Sequence, residues 1–258
     1  MASNLSSIGF VFRDAEDFHA RMLALAEETR ERLACEVGEY AIWRSRTGAE
    51  VWFHLAPRTE ADEQATILGL APFFEGNSRV PVLVTAIAQR PDDNQMEGQL
   101  QGWVAPDGAG AGSYPLAFES IDFAAHSGRA LPATWTCRIT GFCRTITVHQ
   151  DESTLPEIGE EEQLAAQALI PIGLFGDTQE EDVAPTAPSS PEPTAWLTGI
   201  VRAHRRFENE ATGRPFYWLS VESLDATYDL VADPDIVTGE ITDGCIVEAM
   251  AWMFARVM

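Results

Sequence analysis

Apolar residues recur every three or four positions from Phe18 to Leu33, and most charged residues of this stretch fall on the opposite face. This spacing is typical of an amphipathic helix. Asp14 stands where an N-cap residue is expected. The pattern therefore predicts one long helix over about residues 15–35, preceded by a short strand over residues 5–12.

Beyond the helix, the pattern changes to the alternation of apolar and polar residues that predicts β-strands. The predicted strands cover residues 40–45, 50–55, 80–88, 97–104, 114–123 and 133–148. The first two are joined by a turn that contains Gly48. Residues 68–76 are predicted to form a loop that exposes Phe73 and Phe74.

The last segment, residues 195–258, predicts a compact antiparallel β-unit. Residues 209–213 lie between two strand-like runs, and Gly213 supplies the positive φ that a hairpin loop needs. Pro234 ends a third run, because proline cannot donate to a strand ladder. Four or five strands in about sixty residues resemble a small OB-type barrel. A plain antiparallel meander packed on the preceding domain is the alternative.

A connector separates this unit from the rest of the chain. Residues 160–169 predict a short helix with acidic residues at its N-terminus. Residues 177–193 are acidic and proline-rich, which is typical of an extended linker. No internal repeat is visible beyond the general β-alternation. The predicted fold class is α+β, mostly antiparallel β with one long N-terminal helix and a small C-terminal OB-like barrel or meander. The predicted domains are 1–150, 151–194 and 195–258.

The order strand, helix and hairpin, closing on SRTGAEVWFHL, resembles one βαβββ module of the vicinal-oxygen-chelate family of glyoxalase-like metalloproteins. That family places a metal-binding His or Glu on the first and last strands of the module. The first predicted strand here has neither, and only Glu50 or His54 could serve on the later one. The resemblance implies the shape of the module, and a metal-dependent enzyme using Glu50 and His54 is one alternative function.

The charge of the chain narrows the class of partner. Forty acidic residues against seventeen basic ones give a net charge of -23, and every basic residue is arginine. Such a surface repels phosphate backbones and anionic lipids, which argues against nucleic-acid and membrane partners. The absence of lysine indicates either a compositional bias or a function, such as protection from lysine-directed modification or mimicry of nucleic acid.

Location is indicated by what the sequence lacks. No apolar run approaches the length of a transmembrane helix. The segment MASNLSS lacks the basic region and the apolar core of a signal peptide, so no signal peptide is expected. The four cysteines are scattered without CxxC spacing, which is typical of reduced thiols. We therefore expect a cytoplasmic protein.

One local cluster of positive charge stands out, at Arg202, Arg205 and Arg206, followed by aromatic residues. On an OB-type surface such a cluster would suit a nucleotide or a nucleic-acid single strand. Alternatively, these arginines pair with glutamates of neighbouring strands and the aromatic rings fill the core. The candidate binding surface comprises Phe73, Phe74, Arg202, Arg205 and Arg206.

Sequence motifs typical of catalysis, metal binding or phosphate binding are weak. The five histidines show no metal-ligand spacing, and neither GxSxG nor a phosphate-binding loop precedes a helix. No catalytic, metal-binding or cofactor-binding residue is therefore assigned, and no cofactor is expected. The leading hypothesis is a non-catalytic cytoplasmic protein that binds another protein. The alternatives are the glyoxalase-like enzyme and an OB-type nucleotide or single-strand binder.

Overall fold

A computed structural model of the chain describes residues 3–57, 66–157, 163–174 and 191–258. Within these ranges α1 (Ala15–Glu28) is the only α-helix, and most of the remaining structure is β. Short 3-10 helices cover Ser6–Ile8, Phe123–Ala125, Glu152–Thr154, Ile172–Leu174 and Pro234–Ile236. The prediction of a mostly β chain with one long helix near its start is confirmed.

The start of α1 was predicted correctly and its end was not. Asp14 caps the helix, since its side chain accepts a hydrogen bond from the backbone N–H of Asp17. At the other end the hydroxyl of Thr29 donates to the carbonyl of Leu25 at 2.6 Å, and the backbone turns extended. Glu31–Cys35, predicted to be helical, forms a strand because it pairs with the chain that follows.

A four-stranded antiparallel sheet follows the helix, in the order β1-β2-β3-β4. Its strands are β1 (Glu31–Cys35), β2 (Gly38–Arg44), β3 (Ala49–Leu55) and β4 (Ile67–Phe74). The predicted β2–β3 hairpin is confirmed, with Gly48 at φ +95° in its turn. The loop predicted over residues 68–76 is wrong, since β4 pairs along β3. Pro72 is tolerated there because β4 lies at the edge of this sheet.

The larger sheet has ten strands and is mixed rather than purely antiparallel. Its first strands are β5 (Val80–Ala88), β6 (Gln99–Pro106), β7 (Gly112–Ser120), β8 (Ala133–His149) and β9 (Ala168–Ile170). The others are β10 (Thr194–Glu208), β11 (Pro215–Ser223), β12 (Ala226–Ala232), β13 (Val237–Thr238) and β14 (Ile246–Val257). The parallel pairings are β12 with β8, β13 with β8 and β14 with β7.

These pairings close two rings of five strands. The first ring runs β5-β6-β7-β14-β8 and returns to β5. The second ring runs β10-β11-β12-β8-β14 and returns to β10. The two rings share the antiparallel pair β8–β14. In sequence, each ring begins with a three-strand meander, continues with a short 3-10 helix and ends with a long fourth strand, which is β8 in the first ring and β14 in the second. Each ring is closed by the fourth strand of the other: β14 pairs with β7, and β8 pairs with β12.

The match between the rings extends to their register. The opening strands carry a bulge at corresponding places, between Val84 and Ala86 in β5 and between Val201 and Ala203 in β10. Across the first ring the residues Gln99, Glu119 and Phe254 form one row of neighbours. The corresponding row of the second ring is Trp218, Val231 and Phe142. The structure therefore contains a duplication that no sequence repeat predicts.

Two apolar clusters form the core. One fills the rings and includes Val82, Leu116, Leu219 and Leu230. The other lies between the outside of the rings and the four-stranded sheet, where Trp52 is completely buried. The N-terminal unit, which comprises α1 and the four-stranded sheet, is thus fixed to one face of both rings by a continuous hydrophobic core.

The segment before α1 is not the strand that its apolar pattern predicts. Ser6–Ile8 is a 3-10 helix, and Ile8 and Phe10 are buried in the second cluster. Side chains of the β10–β11 loop donate hydrogen bonds to the backbone of this N-terminal segment. The amide of Asn209 donates to the carbonyl of Ile8 at 2.7 Å, and the hydroxyl of Thr212 donates to the carbonyl of Gly9 at 2.6 Å. Its carbonyls therefore bond to side chains of another element.

The connector differs from its prediction where the structure describes it. In the predicted helix over residues 160–169, Gln163 forms a β-bridge to Glu157, and Ala168–Ile170 is β9. Residues 160–162 of the predicted helix and 177–190 of the predicted linker lie outside the described residues. The boundaries at 150 and 194 remain sequence predictions, although β8 and β14 join the flanking regions in one sheet.

Candidate functional site

The arginine cluster is dispersed in the structure. Arg202 forms an ion pair with Glu222 on the neighbouring strand at 2.9 Å, as the core-filling alternative predicts. Arg205 lies over the ring of Phe207, 5.6 Å from its centre. Arg206 lines an open cleft of about 660 Å³ beside the N-terminal segment. The three side chains therefore do not converge on one ligand position.

The aromatic residues near this cluster are covered. Phe74 of β4 packs on the second ring, with its ring centre 6.2 Å from Phe207, 6.0 Å from Phe216 and 6.4 Å from Trp218. Phe73 and Phe74 are 0% and 2% exposed. Neither phenylalanine presents a surface to a partner in this structure, because β4 carries both into the core.

Glu50 and His54 both lie on β3, but their side chains contact different residues. Glu50 is fully buried and accepts hydrogen bonds from the guanidinium of Arg44 and from the indole N–H of Trp52 at 2.7 Å. Burial raises the pKa of Glu50, and these two donors offset that only in part. Glu50 and His54 are four positions apart along the strand, or about 13 Å. The two side chains therefore do not form one metal site.

His54 is the polar group best placed for binding. Its side chain is 2% exposed, and its Nδ1 lies 3.2 Å from Oε1 of Glu97. The ring of Tyr40 packs edge-on at 5.4 Å. The other ring nitrogen, Nε2, is buried and has no hydrogen-bond partner among the described residues. A carboxylate thus contacts one nitrogen of the imidazole, and the other is buried with its hydrogen-bonding capacity unmatched in the described part of the chain.

A cavity of about 220 Å³ lies beside His54, between the N-terminal sheet and the first ring. The N-terminal side is lined by Asn4, His54, Leu70, Ala71 and Pro72. The ring side is lined by Arg90, Glu97, Gly98, Glu119, Ser120, Ile121 and Phe254. The side-chain oxygen of Asn4 is also buried without a partner in the described part of the chain. Two unmatched polar atoms therefore belong to residues that line one cavity.

Opposite His54, Arg90 and Glu119 form a second polar group. Arg90 contacts Glu119 and lies 3.1 Å from Asp93. The carboxylate of Glu119 also accepts a hydrogen bond from the indole of Trp252 at 2.9 Å. These residues come from the β5–β6 connection, β7 and β14, so closure of the first ring assembles them.

The two glutamates of the cavity titrate in opposite directions. Burial raises the pKa of Glu119, and the charge of Arg90 and the hydrogen bond from Trp252 offset it only in part. Burial also opposes ionisation of Glu97, but the contact with His54, the hydrogen bond from the backbone of Asn94 and the charge of Arg90 together prevail and lower its pKa. Glu97 is therefore the more readily ionised carboxyl group of the cavity.

A third feature is an apolar groove between α1 and β4, of about 420 Å³. Its lining comprises Phe18, His19, Met22, Leu23, Phe53, Ile67, Leu68, Gly69 and Leu70. Leu23 and Leu68 are 49% and 44% exposed. Large apolar side chains open to solvent in one groove are typical of a contact surface.

Sequence reasoning named His54 only in the glyoxalase-like alternative and missed its partners. Glu97 lies 43 positions away and Arg90 sits in a turn, so no spacing connects them with His54. Glu119 gave one local signal, since it follows Leu116, Ala117 and Phe118 in a strand-like run. A carboxylate next to such a run can be recognised as functional only once the opposing side chains are known.

Two features are absent from the described part of the chain, a cluster of metal-binding side chains and a membrane-spanning helix. There, no group of three or more His, Cys, Asp or Glu side chains is arranged to hold a metal ion. No helix in the described ranges is long and apolar enough to cross a membrane. Comparison with protein-family models, curated proteins and solved structures gives no match.

Proposed function

We propose that this chain is a non-catalytic binding protein whose ligand occupies the cavity beside His54. The observation that carries the proposal is the buried imidazole, oriented by Glu97 at Nδ1 and unmatched at Nε2. A buried polar atom without a partner costs about 1–3 kcal/mol. A ligand that hydrogen-bonds to this nitrogen would remove that cost.

Binding is favoured over catalysis by what surrounds the imidazole. The polar contacts of His54 in the described chain are Glu97 and Asn94. No hydroxyl or thiol is among them, whereas nucleophilic catalysis requires one within reach of the base. The glyoxalase-like alternative also loses support, because Glu50 is bound by Arg44 and lies away from His54.

The position of the cavity supports the same proposal. We infer that each ring is an OB-type barrel, with the closing strand exchanged between the two. The second and third strands of such a barrel form its usual ligand face. In the first ring these strands are β6 and β7, and Glu119 of β7 lines the cavity. At about 220 Å³ the cavity is smaller than most drug-sized sites, so the ligand is small.

In the second ring the same face is filled. Phe74 covers the aromatic residues that a nucleotide or single strand would use. Together with the net charge of -23, this argues against the nucleic-acid alternative.

Native mass spectrometry of protein purified from its own source tests the proposal. We expect a retained small molecule that is lost in His54→Phe, and the matched variant His204→Phe should keep it. A bare chain that also shows no change in Tm with a library of small metabolites would reject the site.

A protein partner is the second candidate, favoured by the exposed Leu23 and Leu68 in the α1–β4 groove. The double variant Leu23→Ser, Leu68→Ser should lose binding to a purified partner, whereas Ile87→Ser, a change at an exposed site elsewhere, should keep it. Equal binding by both variants would exclude this groove.

The cytoplasm is the proposed location. All four cysteines are free thiols, which favours a reducing compartment. Fractionation of the source cells tests this, and recovery outside the cytoplasm would contradict it.

A further inference from the structure

The unmatched atoms at the cavity are hydrogen-bond acceptors. Glu97 offers His54 Nδ1 a carboxylate oxygen at 3.2 Å, and an ionised carboxylate can only accept. The amide of Asn94 lies 3.3 Å from the same nitrogen, but the nearer and charged Glu97 is the stronger partner, so Nδ1 carries the hydrogen and Nε2 of the neutral ring is left as an acceptor. The second unmatched atom is the side-chain oxygen of Asn4. A ligand that satisfies both atoms must supply N–H or O–H donors.

The charges around the cavity favour a positive ligand. Glu97, Glu119 and Asp93 face a single guanidinium, that of Arg90. Arg90 forms ion pairs with Asp93 and Glu119, and its charge also acts on Glu97, so three carboxyl groups share one guanidinium. An excess of negative charge in a partly buried site is stabilised by a bound cation.

The remaining lining sets the shape of the ligand. Leu70, Ile121 and Phe254 contribute apolar surface to the same cavity. Phe254 is 2% exposed and is held edge-on to Phe142 at 5.0 Å. A short hydrocarbon body would bury against this wall while a polar head meets His54 and Asn4.

We propose that the cavity binds a small alkylammonium ion, whose N–H groups donate to Nε2 of His54 and to the side-chain oxygen of Asn4. This inference rests on the proposed function and adds to it the chemical class of the ligand. Glu97 holds the imidazole in the accepting tautomer and supplies the nearest negative charge.

Calorimetric titration with three probes of similar shape tests the charge: n-butylammonium, 1-butanol and butyrate. On the unaltered chain at neutral pH, we expect saturable binding of n-butylammonium, with a Kd of about 1 mM for so small a probe. The alcohol should bind at least about tenfold more weakly, and butyrate should not bind. This comparison needs no variant, so loss of folding cannot obscure it.

Two variants then locate the site. Glu97→Gln should weaken n-butylammonium binding by at least about tenfold, and Glu208→Gln, an exposed control, should leave it within about twofold. Circular dichroism checks that both are folded.

The outcomes separate the two proposals. Equal or tighter binding of butyrate or butanol overturns the cation and leaves the binding function standing. Unchanged n-butylammonium binding in folded Glu97→Gln also overturns it. No binding of any probe, together with a bare chain from the native source, overturns both.

Discussion

On the second ring the row Trp218, Val231 and Phe142 lies on the side packed against the N-terminal unit, where Phe74 stacks on Trp218. On the first ring the corresponding row is Gln99, Glu119 and Phe254, and its last two members line a cavity of about 220 Å³. The backbone pairing is the same in both rows. The side chains and the filling of the space above them differ.

This difference shows how a duplicated scaffold can present an apolar face in one ring and a polar face in the other. The second ring contributes apolar and aromatic surface to the core that fixes the N-terminal sheet. The first ring places Arg90 and Glu119 where the second has apolar side chains. Arg90 and Glu119 are paired with each other, and Asp93 and Trp252 pair with them in turn, so the first ring carries a satisfied polar group where the second carries apolar surface.

Exchanging residues between the rows should produce the largest effect. Val231 is completely buried, so Val231→Glu places a carboxyl group in the core without an arginine and should cost more than about 4 kcal/mol. The reverse change, Glu119→Val, should cost less, about 2–3 kcal/mol, because the Arg90 it leaves behind is partly exposed and keeps Asp93 as a partner. Urea denaturation measures both. Equal costs would mean that the two faces do not differ as described.

Removing the aromatic side chain of Phe74, which covers the face of the second ring, should have the next largest effect. Phe74→Ala leaves a cavity among Phe207, Phe216 and Trp218 and should lower the free energy of unfolding by about 3 kcal/mol. Leu68→Ala on the same strand is the control and should cost less than about 1 kcal/mol, since Leu68 is exposed. A loss for Phe74→Ala no larger than that of the control would contradict the filled face.

The two cavity glutamates should respond oppositely to pH. Because the pKa of Glu119 is raised, its contribution to stability is present at low pH and falls as the pH rises above its ordinary value of 4.5. The stability advantage of the unaltered chain over Glu119→Gln should therefore shrink as the pH rises.

For Glu97, whose pKa is lowered, the contribution is present above 4.5 and is lost as the pH falls below it. The advantage over Glu97→Gln should shrink toward low pH. Denaturant curves across this range measure both, and slopes of the same sign would refute the assignment.

The smallest effect on stability is expected at His54 itself. His54→Phe removes an unmatched buried nitrogen and its contact with Glu97 while filling similar space, so stability should change by less than about 1 kcal/mol. Ligand binding should be lost. A variant destabilised as strongly as Phe74→Ala would show that His54 is structural. Thermal unfolding with and without n-butylammonium separates the two roles.

Local features could be predicted from the sequence, and contacts between distant segments could not. Asp14 as the helix cap and Gly213, at φ +68°, in its hairpin depend on neighbouring residues alone. The exchange of closing strands depends on parallel pairing of β12 with β8 and of β7 with β14, which no local pattern specifies. Segment 5–12 has a strand-like pattern but bonds to a loop two hundred residues away.

The same limit applies to the site. His54 was recognisable as a histidine at the end of a predicted strand. Its place in the candidate site depends on Glu97 and on the cavity, which only the tertiary structure reveals. Phe73 and Phe74 were expected on the surface because Gly69 and Pro72 are typical of a loop. Pairing with β3 prevails over that tendency and buries both rings.

The most direct test of the account is NMR of the chain with 15N-labelled histidine, followed through the ring nitrogens during titration with n-butylammonium. We expect Nε2 of His54 to shift with saturation while the other histidines stay unchanged, and Glu97→Gln to weaken the response. An unchanged Nε2 resonance, or equal shifts at all histidines, would contradict the claim that the cavity of the first ring is the binding site.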